Sequence, residues 1–456
     1  MTLFAALAVA VLVAPAAAQQ PAPSLVGVWE GRISVAGQPI RVVFRIAENG
    51  SATMDSPDQG ALGIPTERPV AEGGVVRIGV PAVGGRFEGT LSEDGATLTG
   101  ALHQGGAAVP LVLTRQPGEV TTAPALNRPQ TPQPPFPYSA DEVVIDAPDG
   151  VKLAGTLTLP EGEGPHPAVL LITGSGAQDR DETVFGHKPF LVLADALTRR
   201  GVAVLRVDDR GVGGSSGPMQ DLTTADFASD AAAAAAWLAR RPGIDAARVG
   251  LIGHSEGGTI APMVAQAVEP PALAFVVLLA GPAVPGGEVL TEQARRFQLA
   301  RGIDPEVVEA NAALQARLMQ TVAANADDEG ATTSAARALL EEAGVSENLV
   351  EEGVQQVALA WTRWFVAHDP RPSLAALDVP VLAIYGGKDV QVPADQNATA
   401  LREVLPAAEV VVLPELNHLL QTAGTGLPDE YAAIEETIDP EALAKIVDWV
   451  AARAGL

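Results

Sequence analysis

From Leu25 to Arg115 hydrophobic and polar positions alternate. Val42, Phe44 and Ile46 alternate with Arg41 and Arg45; Phe87 and Leu91 alternate with Arg86, Glu88 and Thr90; Leu98 and Leu102 alternate with Thr97 and Thr99. A period of two suits strands with one face in a core and the other in water. Asn49-Gly50 and Asp94-Gly95 supply the positive-φ residues that tight hairpins need. Residues 25–115 therefore predict a small antiparallel β-domain. The alternation then lapses over 116–140, which holds Pro117, Pro124, Pro129, Pro132, Pro134, Pro135 and Pro137. Proline at this density predicts a semi-rigid extended linker.

From residue 141 to 456 the pattern is different. A hairpin (Val143 to Ala147, Asp149-Gly150, Lys152 to Leu159) leads into short apolar runs at Ala168 to Thr173, Val202 to Val207, Val249 to Ile252, Phe275 to Ala280, Val381 to Tyr385 and Val410 to Leu413. Such runs are typical of buried parallel strands. Helical periods separate them. One is capped by Thr223 and Asp226; the last opens at Asp439-Pro440 and aligns Leu443, Ile446, Val447 and Val450. Strands alternating with helices predict a doubly wound, mostly parallel α/β domain. Between about 283 and 373 only helical stretches occur (Leu290 to Leu299, Pro305 to Ala324, Leu349 to His368). A connection of that length predicts a helical cap inserted over the carboxyl edge of the sheet.

The first residues form a separate unit. Leu3 to Val13 is continuously apolar and Ala16-Ala17-Ala18 follows, which reads as a secretory signal peptide over 1–18, although no basic residue precedes it. Export to the periplasm or medium is the expectation, and no later segment reads as a stable membrane span. Acidic residues outnumber basic ones 55 to 29, for a net charge of −26, which excludes nucleic acid as a natural partner. Cysteine is absent, so disulfides, thiolate metal sites and a cysteine nucleophile are excluded together.

Gly253-His254-Ser255-Glu256-Gly257 fits G-x-S-x-G, and so does Gly213-Gly214-Ser215-Ser216-Gly217. Only the first lies directly between an apolar strand and a helix, the setting that lifts a serine hydroxyl above a sheet on a sharp turn. Ser255 is thus the candidate nucleophile, and a base must take its proton. Among six histidines, His418 follows the last strand at the edge where Ser255 would stand. His103 lies in the β-domain, His166 at the remote end of a strand, His254 inside the elbow and His368 in the cap. His187 is a candidate substrate neighbour. Asp389, just past the penultimate strand, would orient His418. The backbone N–H groups of Ser175, in Thr173-Gly174-Ser175-Gly176, and of Glu256 are the candidate oxyanion donors. Asp179-Arg180-Asp181-Glu182 reads as a salt-bridged loop shaping that turn, with a metal site or polar subsite as its alternative. Trp361, Trp364 and Phe365 share a helical face; core packing is the default for them and an acyl-pocket wall the alternative.

With these residues in place the chain resembles the α/β-hydrolase superfamily, whose triads follow the order Ser255, Asp389, His418. It is more particularly similar to bacterial exported esterases with an extra N-terminal β-domain, whose cores carry a serine aminopeptidase S33-like label. Thr173 to Glu182, Gly186-His187-Lys188-Pro189-Phe190 and Asp208-Asp209-Arg210-Gly211-Val212-Gly213 carry the likeness, and Val26-Gly27-Val28-Trp29 adds to it. A His-Gly-Gly-Gly oxyanion loop is replaced here by Thr173-Gly174-Ser175-Gly176. The resemblance implies hydrolysis of a small carboxylic ester through an acyl-enzyme, with no cofactor and no metal. The residues alone reach only acyl transfer to water. A peptidase or aminopeptidase acting on amides, and a binding protein that captures ligand through its β-domain, remain the rival readings.

Overall fold

In a computed structural model the described residues are 24–456, apart from 36–37, 57–60, 73, 81–84, 93, 105–106, 118–126 and 268–272; the segment read as a signal peptide lies outside them. Among the described residues nine antiparallel strands come first: β1 (Gly27–Val35), β2 (Gln38–Ile46), β3 (Ala52–Ser56), β4 (Ala61–Pro65), β5 (Val70–Glu72), β6 (Val75–Val80), β7 (Gly85–Leu91), β8 (Thr97–Gln104) and β9 (Ala107–Gln116). Their order in the sheet is β4-β3-β2-β1-β9-β8-β7-β6-β5. β2 and β7 stand four strands apart, about 19 Å in a flat sheet. Yet the rings of Phe44 and Phe87 lie 6.0 Å apart. The sheet therefore curls over onto a core of Trp29, Phe44, Ile78, Phe87, Leu98 and Leu113, all fully buried. Phe44, Phe87 and Leu98 are inward members of the alternation seen in the sequence.

The second sheet has eight strands: β10 (Tyr138–Asp146), β11 (Lys152–Pro160), β12 (His166–Ile172), β13 (Ala203–Val207), β14 (Ile244–His254), β15 (Phe275–Leu279), β16 (Val381–Gly386) and β17 (Glu409–Leu413). Their order is β10-β11-β13-β12-β14-β15-β16-β17. β10 and β11 pair antiparallel, β11 pairs antiparallel with β13, and every later pair is parallel. β10 begins at Tyr138, earlier than the sequence pattern suggested, because its first half lies on the sheet edge with both faces partly wet and so shows no alternation. Two apolar layers cover the two faces of this sheet. Helices α1 (Pro189–Arg199), α2 (Thr224–Ala239) and α3 (Glu256–Ala267) connect its first half. Asp226 accepts the backbone N–H of Thr223 at 2.8 Å and its hydroxyl at 2.7 Å at the start of α2.

Between β15 and β16 stand six helices, α4 (Gly286–Ala300), α5 (Pro305–Ala324), α6 (Glu329–Glu342), α7 (Glu347–Ala358), α8 (Ala360–Ala367) and α9 (Arg371–Ala375). The stretch read as one helix from Leu349 to His368 is broken at Leu359, whose backbone is extended. This insertion has an apolar centre of its own around Leu318, Met319, Val322, Leu340 and Val354. α10 (Ala394–Val404) and α11 (Pro440–Arg453) complete the domain, with Asp439 capping α11 through the N–H groups of Glu441 and Ala442. No helix among the described residues is long and apolar enough to cross a membrane.

Candidate active site

β14 ends at His254 and α3 starts at Glu256, so Ser255 alone makes the turn between them. It does so with φ at 52°, a left-handed conformation that a non-glycine residue holds only under tight constraint. Its N–H donates to the Leu279 carbonyl at 2.8 Å, and its carbonyl accepts from Gly258. The flanking glycines are required by space. A β-carbon at Gly253 would sit 2.0 Å from the Gly257 carbonyl oxygen, and one at Gly257 would sit 2.2 Å from that of Ile172.

Asp389 and His418 follow the ends of the last two strands, β16 and β17. His418 Nε2 lies 3.0 Å from Ser255 Oγ, and His418 Nδ1 lies 2.7 Å from Asp389 Oδ2. The other carboxylate oxygen, Asp389 Oδ1, accepts the N–H groups of Gln391 at 2.7 Å and Val392 at 2.9 Å. Asp389 and His418 are both buried. The structure thus brings together the three side chains singled out in the sequence.

The predicted oxyanion loop crosses beside the elbow, where a β-carbon on Gly174 would touch Ser255 Cβ at 3.1 Å. Ser175 and Glu256 both line the cleft over Ser255. The loop is held from behind. Asp209 accepts the Thr173 hydroxyl at 2.9 Å and the Gln178 N–H at 3.0 Å, while Glu182 Oε1 accepts the Gly174 N–H at 2.7 Å. The run Asp179-Arg180-Asp181-Glu182 is fully engaged with protein partners. Asp179 caps its own turn, Arg180 bridges Asp208 and Glu142, and Asp181 meets Lys188 and Arg206.

The cleft holds a cavity of about 380 Å³, and its wall is mainly apolar, with Val184, Phe185, Val289, Leu290, Phe365 and Leu419 around the triad. The aromatic face read from the sequence divides. Trp361 and Phe365 stack at 4.8 Å and line the cleft, whereas Trp364 stacks on His368 at 4.3 Å and faces a separate hollow. The default of core packing is corrected for Trp361, which is only part-buried, while Phe365 is buried as expected and also reaches the cleft wall: a one-turn spacing separates them from Trp364 only when the partner surfaces are known. Trp361 Nε1 also donates to Glu256 Oε1 at 2.8 Å, and the Thr224 hydroxyl donates to the same oxygen at 2.5 Å. A second hollow of about 460 Å³ lies within the insertion and shares Leu290, Gln293 and Trp361 with the cleft.

His187 does not line the cleft. It is wholly buried, with ring nitrogens on Thr437 Oγ1 and the Tyr431 carbonyl, both at 3.0 Å. Burial pushes its pKa down to about 4, and the nearby Arg128 charge adds to that effect. Arg128 belongs to the proline-rich stretch, and its guanidinium donates to the carbonyls of Phe185 (2.7 Å), Ile434 (2.8 Å) and Ala432 (3.0 Å). Gln130 binds the backbone of Thr437 and Ile438. These clamps on the loops bordering the cleft carry no sequence signal, because an isolated Arg or Gln among prolines looks like a solvated spacer.

The profile of the X-Pro dipeptidyl-peptidase (S15) family matches residues 149–419, well over half of the chain and inclusive of all three triad residues. Esterase EstD of Thermotoga maritima is 28% identical over 301 residues, spanning 65% of this chain and 65% of that protein. An uncharacterized protein of Mycobacterium tuberculosis is 35% identical over 136 residues, 30% of this chain and 44% of that relative. Among solved structures, an esterase of Pyrococcus furiosus covers 72% of this chain and 98% of its own, at 17% identity and a TM-score of 0.43.

Proposed function

Because the chain belongs to the X-Pro dipeptidyl-peptidase (S15) family, we propose that it is a serine hydrolase, and that its substrates are small carboxylic esters. The observation that carries this is the continuous chain from Ser255 to His418 to Asp389, at 3.0 and 2.7 Å, opening on an apolar cleft. Ser255 Oγ attacks the ester carbonyl while His418 Nε2 takes its proton. Asp389 fixes the ring so that Nδ1 carries hydrogen and Nε2 is free to accept. The N–H groups of Ser175 and Glu256 receive the oxyanion. The tetrahedral adduct expels the alcohol, which leaves with the proton from His418, and the acyl group stays on Ser255. Water, deprotonated by His418, then releases the acid.

Esters are favoured over N-terminal amides by the state of the cleft carboxylates. Recognition of a free amino terminus needs an available anion. Each of the two carboxylates on the cleft wall already holds two protein groups at its Oε1, Gly174 and His254 at Glu182 and Trp361 and Thr224 at Glu256. EstD is an esterase by name, which agrees with this choice. The peptidase reading rests on the family name. The insertion acts as the cap over the cleft, and its second hollow takes the far end of an acyl chain. The first 18 residues direct export and are removed.

Parallel kinetics on p-nitrophenyl esters and Xaa-Pro amides test the substrate class, and a clear preference for amides overturns the esterase reading. Fluorophosphonate labelling of the full chain tests the nucleophile: modification should fall on Ser255 and vanish in Ser255→Ala. A wild-type protein that does not react is a binding protein instead. Mass spectrometry of the exported protein tests cleavage after residue 18.

A further inference from the structure

His254, the residue before the nucleophile, has no part in the chemistry described so far, yet its ring is buried and both nitrogens are engaged. Nδ1 lies 2.9 Å from Glu182 Oε1 and Nε2 lies 3.0 Å from the main-chain carbonyl of His418. We propose that His254 and Glu182 form a fixed imidazolium–carboxylate pair that positions the catalytic base and the oxyanion loop together. What is being positioned rests on the esterase reading above; the charge state of the pair does not.

The hydrogen-bond inventory carries the argument. A carbonyl oxygen only accepts, so Nε2 must carry a proton. One further proton then lies between His254 Nδ1 and Glu182. Glu182 Oε1 already receives the Gly174 N–H at 2.7 Å, and an oxygen with two donors converging on it is best served as a carboxylate. The second proton therefore belongs on Nδ1. Burial works against a charged His254, but the charge and hydrogen bond of Glu182, the His418 carbonyl and the charge of Asp389 outweigh it, and the net direction is upward. The charged and titratable groups around the pair are His418, whose ring centroid is 4.9 Å from that of His254, Asp389, and Asp209 and Glu256 on the Glu182 side. Glu182 itself holds a left-handed φ of 53°, a strained backbone that serves to aim its carboxylate between loop and elbow.

The consequence is mechanical as well as electrostatic. His418 is fixed at its ring by Asp389 and at its main chain by His254. The same carboxylate that neutralises His254 tethers Gly174, one residue before the Ser175 donor. A neutral pair spares the oxyanion from an unbalanced anion underneath it and spares His418 from an unbalanced cation beside it. His254 and Glu182 are positioning residues, acting through His418 and the loop.

The test has two arms, both on the full chain. In wild type labelled with ¹⁵N-histidine, with rings assigned by correlation to the backbone, His254 should show both nitrogens protonated from pH 6 to 9. A singly protonated His254 ring at pH 7 overturns the proposal, and this arm needs no variant to fold. In the second arm, H254Q and E182Q should each lower kcat on a nitrophenyl ester roughly 10- to 100-fold, less than losing an oxyanion donor outright, with KM within about threefold. The acid limb of the kcat/KM profile should move upward in H254Q, where Glu182 is left uncompensated beside His418, and should not do so in E182Q. The double variant should lose no more than the worse single one. Multiplicative losses with an unmoved limb indicate generic structural damage and overturn the positioning role. A wild type that hydrolyses no ester refutes the esterase reading and the positioning role with it, while the ring spectrum still decides the charge of His254.

Discussion

Asp389→Asn changes one carboxylate oxygen to an amide nitrogen at nearly constant volume, and its effect follows from which oxygen must stay. Oδ1 accepts two backbone N–H groups, from Gln391 and Val392, at 2.7 and 2.9 Å. Turning the new amide nitrogen toward them would leave buried donors facing each other, at about 1–3 kcal/mol for each group left unsatisfied. The amide oxygen therefore remains on the backbone and the NH2 faces His418 Nδ1, 2.7 Å away from that position in the wild type. Nδ1 must then accept, which moves the ring proton to Nε2, the nitrogen 3.0 Å from Ser255 Oγ. In that tautomer His418 cannot take the serine proton. Triads trapped in this way lose about 10⁴ in kcat, or about 5 kcal/mol of transition-state stabilisation. Steady-state kinetics on p-nitrophenyl butyrate should show this loss almost wholly in kcat, with KM within about threefold. Activity within tenfold of wild type would refute the tautomer argument and require another group to orient His418.

Three further outcomes follow from the packing and the charges. Gly257→Ala forces a β-carbon to 2.2 Å from the Ile172 carbonyl oxygen, so ester hydrolysis should fall more than about 100-fold, comparable with the loss of an oxyanion donor. Kinetics and thermal melts read this, and a fully active variant would contradict the close approach. Ala294→Trp fills the hollow inside the insertion without entering the cleft over Ser255. At about 0.8 kcal/mol per buried methylene, expelling four of them should cost nitrophenyl decanoate roughly 10² in kcat/KM while acetate stays within threefold; an unchanged chain-length profile removes the acyl chain from that hollow. Burial holds His187 at about 4, below its unfolded value of 6.5. The stability it contributes is therefore complete above pH 6.5 and is lost as pH falls toward 4. Melting temperatures across that window should fall less steeply in His187→Gln, and an identical slope would refute the assignment.

The sequence carried the features that repeat or punctuate. Period-two alternation marked the residues that meet inside the first sheet, because a strand that buries one face must write that face at every second position. The elbow was legible because two glycines four residues apart flank its serine between an apolar strand and a helix, and the surrounding backbone leaves neither of them room for a β-carbon. His418 and Asp389 were legible because an α/β sheet delivers the ends of its strands to one edge. What stayed hidden depends on pairs distant in the chain. Glu182 and His254 are 72 residues apart, and Arg128 reaches carbonyls 304 and 306 residues away. No local periodicity encodes such contacts. The division of Trp361 from Trp364 was hidden for a related reason: adjacent surfaces of one short helix meet different partners. The early start of β10 went unseen because an edge strand with two partly wet faces has no reason to alternate.

The clamps from Arg128 and Gln130 also decide where this chain can be divided. By its proline content the stretch before Tyr138 invites a cut anywhere within it. Structurally, the unit that contains the triad extends back at least to Asn127, whose side chain donates to Glu435 at 2.9 Å. A truncated protein beginning at Tyr138 would lose the supports of the loops at 185 and 432–438, and a fusion joined there would graft an unbraced rim. A cut that keeps the α/β unit and its braces whole therefore falls before Asn127.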